Sequence, residues 1–78
     1  MNASQLNTAL GSNIEWVKYV VTTYKNPKRT NETLHDVTLM VSGVELVVVR
    51  GFRTETAGRN QAAEIATPWL RENGWLRE

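Results

Sequence analysis

Residues 37–66 read VTLMVSGVELVVVRGFRTETAGRNQAAEIA, and their pattern decides the fold. Val37, Leu39 and Val41 alternate with Thr38, Met40 and Ser42, which is the period of a half-buried strand. Ser42-Gly43 then supplies a tight turn, because glycine takes positive φ at no steric cost. Val44, Leu46 and Val48 oppose Glu45, Val47 and Val49 in a second strand whose two faces are both largely apolar. Arg50 to Arg53 leads out of the sheet. Thr54 or Thr56 caps a helix with Glu55 near its positive end. Ala62, Ile65, Ala66 and Trp69 follow at i, i+3, i+4, i+7, a core-facing stripe.

Outward from this hairpin and helix, the rest of the chain completes a sandwich. Residues 2–10 read as a short helix capped by Asn2 or Ser4 and ended by Gly11. Leu6 and Leu10 share one face, and Gln5, Asn7 and Thr8 point outward. So short a helix does not persist alone and has to dock. Residues 14–24, IEWVKYVVTTY, are β-branched and aromatic and read as a strand, with either face a candidate for the core. Residues 25–36, KNPKRTNETLHD, are polar and contain a proline. They read as a long loop, of the kind that often carries function. Pro68 interrupts the last helix pattern, so a kink or a restart at Thr67-Pro68 is expected. Asn73-Gly74 ends that helix, and Trp75-Leu76 folds back over the core. The expected order is α-β-β-β-α, an α+β fold with a three-stranded antiparallel sheet and both helices on one face.

At 78 residues the chain makes one domain, residues 1–78, whether alone or cut from a larger protein. It has no cysteine, so its apolar residues, 41% of the whole, must supply the core without disulfides. A net charge of +1 gives no overall basic footprint, so any polyanion site has to come from local clustering. No apolar run is long enough to span a membrane. MNASQLNTALG lacks the basic and apolar regions of a secretory signal. An intracellular setting is expected, with cytoplasm, nucleus and mitochondrion undistinguished. His35 is the only histidine, too few ligands for a metal site. No Ser/His/Asp or paired-carboxylate pattern marks catalysis. The expectation is a non-catalytic domain without a cofactor.

The α-β-β-β-α order, with LNTALG in the first helix, His35, Ser42-Gly43 at the hairpin and AGRNQAAEIA in the last helix, resembles the double-stranded-RNA-binding domain over nearly the whole chain. The versions attached to fungal ribonuclease III enzymes and mitochondrial ribosomal proteins look most similar. The resemblance implies shape recognition of A-form RNA, with contacts to two successive minor grooves and the phosphates between them. It places those contacts on Gln5, Asn7 and Thr8 of the first helix and on Lys25, Lys28, Arg29, Asn31 and His35 of the first interstrand segment. The third region, entering the last helix, would be Arg53 and Arg59, with Arg50 nearby. At the family's Lys-Lys-x-Ala-Lys positions, however, the chain reads Glu55-Thr56-Ala57-Gly58-Arg59. The family's glycine pattern after strand 3 is reduced to Gly51.

Two alternatives therefore stay open. One is a module of the same fold that binds a protein partner or a second copy instead of RNA, through Val47, Val49, Trp75 and Leu76. The other is a small virus- or plasmid-encoded inhibitor that shares the topology.

Overall fold

A computed structural model describes residues 1–77. Its elements are α1 (Ala3–Leu10), a 3-10 turn (Gly11–Trp16), β1 (Val17–Asn26), β2 (Arg29–Val41), β3 (Val44–Phe52) and α2 (Glu55–Glu72). The strands form one antiparallel sheet in the order β1-β2-β3. Helix α2 lies across β2 and β3, and α1 packs against α2 on the same side. This is the expected α+β arrangement of two helices over one face of a three-stranded sheet.

Each boundary has a local cause. Asn2 caps α1 through a capping box: its Oδ1 accepts from the Gln5 N–H at 2.8 Å, and Gln5 Oε1 accepts from the Asn2 N–H at 3.0 Å. Gly11, at φ +57°, ends the helix in a backbone state that side chains resist. Leu6 and Leu10 are fully buried, and burial of about 1.5–3 kcal/mol each outweighs the weak helicity of an eight-residue segment. Thr54 caps α2, its Oγ1 accepting from the Ala57 N–H at 3.1 Å. Ser42 and Gly43 both have positive φ, 50° and 79°, as a two-residue type I′ hairpin turn demands.

The core is one cluster of Leu6, Leu10, Val37, Leu39, Val41, Val47 and Val49 with the small side chains of α2 and Leu70. Val17, Tyr19 and Val21 of β1 pack against it, which settles the inner face of that strand. The chain's end straps this core closed. The Trp75 N–H donates to the Leu70 carbonyl at 2.9 Å and the Arg77 N–H to the Ala9 carbonyl at 2.6 Å, while Trp75 and Leu76 lie half-buried against the cluster.

Four expectations change, and at Pro68 one of two alternatives falls. Ile14 to Trp16 are not strand: they form the 3-10 turn and are exposed. The polar segment 25–36 is not a loop. It continues β1 and β2 as a hairpin around Pro27-Lys28, because Thr22, Thr23, Tyr24 and Thr33 favour extended backbone whatever their polarity. Strand β3 does not keep simple alternation. A bulge between the Leu39/Val47 and Met40/Glu45 pairs switches its phase, so that Val47 and Val49 face inward and Val48 outward.

On α2, Ile65 and Trp69 are 49% and 41% exposed, and the buried stripe is Gly58, Ala62, Ala63, Ala66, Thr67 and Leu70. The helix sits so close to the sheet that a Cβ on Gly58 would lie 2.7 Å from Val37 Cγ2, leaving room underneath only for small residues. Pro68 does not restart the helix, which runs unbroken to Glu72 with Pro68 on its exposed side.

Candidate nucleic-acid interface

Beyond His35 and Phe52 the sheet is two strands wide, and Tyr24 to Leu34 project past the helices as an arm. The molecule is 43 Å long and only 18 Å across its thinnest direction. With no core beneath it, the arm is held by polar side chains. Tyr24 Oη donates to Asp36 Oδ1 at 2.9 Å, which also accepts from the Gly51 N–H at 3.0 Å. Lys25 Nζ donates to Thr33 Oγ1 at 3.0 Å, and the Thr23 hydroxyl pairs with His35 Nδ1 at 3.0 Å. The hydrogen bond to Asp36 holds the Tyr24 hydroxyl above its ordinary pKa, because the carboxylate accepts only from the protonated phenol.

The arm carries four of the expected RNA contacts, Lys25, Lys28, Arg29 and Asn31. Lys28 occupies the turn, its N–H donating to Asn26 Oδ1 at 3.0 Å. Arg29 and Asn31 are exposed at the start of β2 and line a shallow polar cleft with Glu32 and Arg53. Arg53, 78% exposed and just ahead of α2, reaches back to the arm, its Nε lying 3.3 Å from Glu32 Oε1. One turn into α2, Arg59 sits 3.7 Å from Glu55 and 5.8 Å above the Tyr19 ring, within cation–π range. Burial raises the Tyr19 pKa, and Arg59 partly offsets that shift. The next residue, Asn60, accepts from the Ala3 N–H through Oδ1 at 3.0 Å, joining the start of α1 to the start of α2.

Two contacts tie the regions to the segment 53–60: α1 bonds to Asn60, and the arm's Glu32 pairs with Arg53 just ahead of α2. Gln5, Asn7 and Thr8 are exposed on α1, although Gln5 also serves the capping box and Thr8 Oγ1 donates to the Ser4 carbonyl at 3.3 Å. His35 departs from expectation. It is a half-buried strand residue paired with Thr23 and flanked by Phe52, not a loop residue.

Of the four residues expected to meet a protein partner, two are buried and two are half-buried. Val47 and Val49 are buried beneath α2, and Trp75 and Leu76 pack on the core. Sequence reasoning also missed Glu32, Asn60 and Tyr19. Glu32 stands among the cations of the arm, and Tyr19 alternates with Val17 and Val21, so both carried a signal. Asn60 carried none, because its partner is 57 residues away.

Among the described residues no group of three or more acidic, histidine or cysteine side chains is placed to hold a metal ion, and no helix is long and apolar enough to cross a membrane. No family model, curated protein or solved structure matches the chain. Fold and site together define a small α+β domain with a polar arm whose Glu32 pairs with Arg53, just ahead of the second helix.

Proposed function

We propose that this chain is a non-catalytic double-stranded-RNA-binding domain that reads A-form shape through α1, the arm and the start of α2, as an accessory module of a ribonuclease III-like or ribosomal protein. The observation that carries the reading is Arg53 reaching back to the cleft lined by Arg29 and Asn31, beside the amino end of α2. Helix amino ends favour anions through their unpaired N–H groups and positive dipole end. Lys25, Lys28, Arg29, Arg53 and Arg59 outnumber the two carboxylates among them, Glu32 and Glu55. The local potential is therefore positive although the whole chain is near neutral. The Arg59–Glu55 pair is solvent-exposed, the class worth about 0–1 kcal/mol, so a phosphate displaces that carboxylate at small cost. Arg53 reaches from solvent to a Glu32 side chain only 21% exposed.

The loss of two basic positions to Glu55 and Thr56 makes the phosphate contacts fewer than in the family it resembles. Affinity is accordingly modest, and its salt dependence, which scales with the number of phosphate contacts, is shallower than that of a fully basic module. The test is a titration with an RNA duplex of about 16 base pairs, the span of such a module, beside a DNA duplex of the same sequence. RNA binding that weakens with salt and exceeds DNA binding supports the reading. An absence of RNA binding at low salt overturns it.

A further inference from the structure

The helices cover one face of the sheet and leave the other open. Open faces of antiparallel sheets usually read polar. Here the central row, running across β1, β2 and β3, is Val20, Thr38 and Val48, with both valines 42% exposed. The next row is Lys18, Met40 and Glu45. Beyond it stands Trp16, 54% exposed, walling a cleft with Lys18 and Met40. The bulge in β3 creates this pattern, since it turns Val48 outward while Val47 and Val49 stay in the core.

We propose that this open face is where a second copy of the chain docks, sheet against sheet, about a two-fold axis parallel to β2. Such an axis keeps the rows in register and exchanges β1 for β3. Val20 of one copy then meets Val48 of the other, and Thr38 and Met40 meet their own counterparts. Lys18 meets Glu45 twice, once on each side of the axis. The Val20–Val48 and Lys18–Glu45 pairs are thus self-complementary, as a two-fold interface requires. Asp36, in the row beyond Thr38 and held by Tyr24 and Gly51, meets its own counterpart at the edge of the patch. The strands of the two sheets run nearly aligned, one of the two ways in which sheets stack.

The size of the face sets the strength of the contact. Three strands about 4.8 Å apart and roughly eight residues of about 3.3 Å each give a small patch, on the order of 350 Å² in projection. That belongs with weak, transient interfaces rather than obligate ones. Dimers consequently form at high protein concentration. The inference does not depend on the RNA reading.

Sedimentation over a concentration series up to the millimolar range is the test. The wild type should move from the monomer mass of 8.8 kDa toward twice that value. Lys18→Glu alone and Glu45→Lys alone each place like charges across the axis and should weaken association by about tenfold or more. The double variant exchanges the two charges at unchanged net charge and should restore it. Val48→Lys, at an exposed position, should leave a folded monomer, with circular dichroism reporting the fold. A wild type that stays at the monomer mass throughout overturns the proposal. So does a dimer indifferent to Val48→Lys, or one that the double charge exchange fails to restore.

Discussion

Gly58 shows how one hydrogen atom sets the spacing between helix and sheet. In an isolated helix, Gly→Ala is favourable by about 1 kcal/mol. Here the added methyl would lie 2.7 Å from Val37 Cγ2, against a side chain with no exposed surface into which to move. Overpacking of that kind costs about 1–3 kcal/mol, so Gly58→Ala should lower the urea midpoint despite its better propensity. An increase would show that the helix can lift from the sheet without loss. Tyr24 acts through its proton. Its pKa is raised in the fold by the bond to Asp36, so between the ordinary value of 10.0 and the folded value the native state holds a proton that the unfolded chain has released. Its contribution is therefore complete below pH 10.0 and fades as pH climbs through the folded value. Denaturation just below and well above pH 10.0 should show a loss for the wild type that is smaller for Tyr24→Phe. Equal losses would mean that the hydroxyl does not couple to stability.

At the level of elements, α2 carries both a cap and a defect. Thr54→Ala removes the acceptor for the Ala57 N–H and should cost about 1 kcal/mol, readable as a lower thermal midpoint. Pro68 works the other way. It lies inside the helix, where proline costs about 3 kcal/mol relative to alanine, while its stiffening of the unfolded chain returns up to about 1 kcal/mol. Pro68→Ala should thus stabilise by about 2 kcal/mol, and a neutral result would imply that the surrounding turn has adapted to the ring. These elements were legible in the sequence wherever a local signal sufficed: Asn2, Gly11, Thr54 and Ser42-Gly43 stand where capping and turn chemistry put them. What local signals could not reach was tertiary choice. The bulge that reverses β3 depends on its pairing with β2, and the burial of Ala63 and Thr67 in place of Ile65 and Trp69 depends on how near the helix lies to the sheet. The polar composition of residues 25–36 concealed a hairpin because strand pairing satisfies the backbone without any apolar face.

For the whole molecule, the candidate site was legible as a set of residues but not as a place. Arg29, Asn31 and Arg53 were in view from the start, yet their meeting in one cleft depends on the arm being strand rather than loop. Glu32, which holds Arg53, follows from the same geometry. Its removal is a direct probe: Glu32→Gln should tighten duplex RNA binding severalfold, whereas Arg29→Ala with Arg53→Ala should weaken it and lower the salt slope by about one per lost phosphate contact. An unchanged slope in the double variant would move the phosphate contacts elsewhere. The arm has a last consequence, for the way the protein opens. Opening free energies vary across a structure with the apolar packing beneath each segment, and from Tyr24 to Leu34 the two strands extend past the helix-covered core. Amide protons there should exchange with deuterium by local fraying, while those of Leu39 and Val41, fully buried or nearly so, wait for global unfolding. The segment that would meet a ligand first thus opens at a cost of its own, and a bound duplex should slow exchange most in the arm while scarcely altering it in the core.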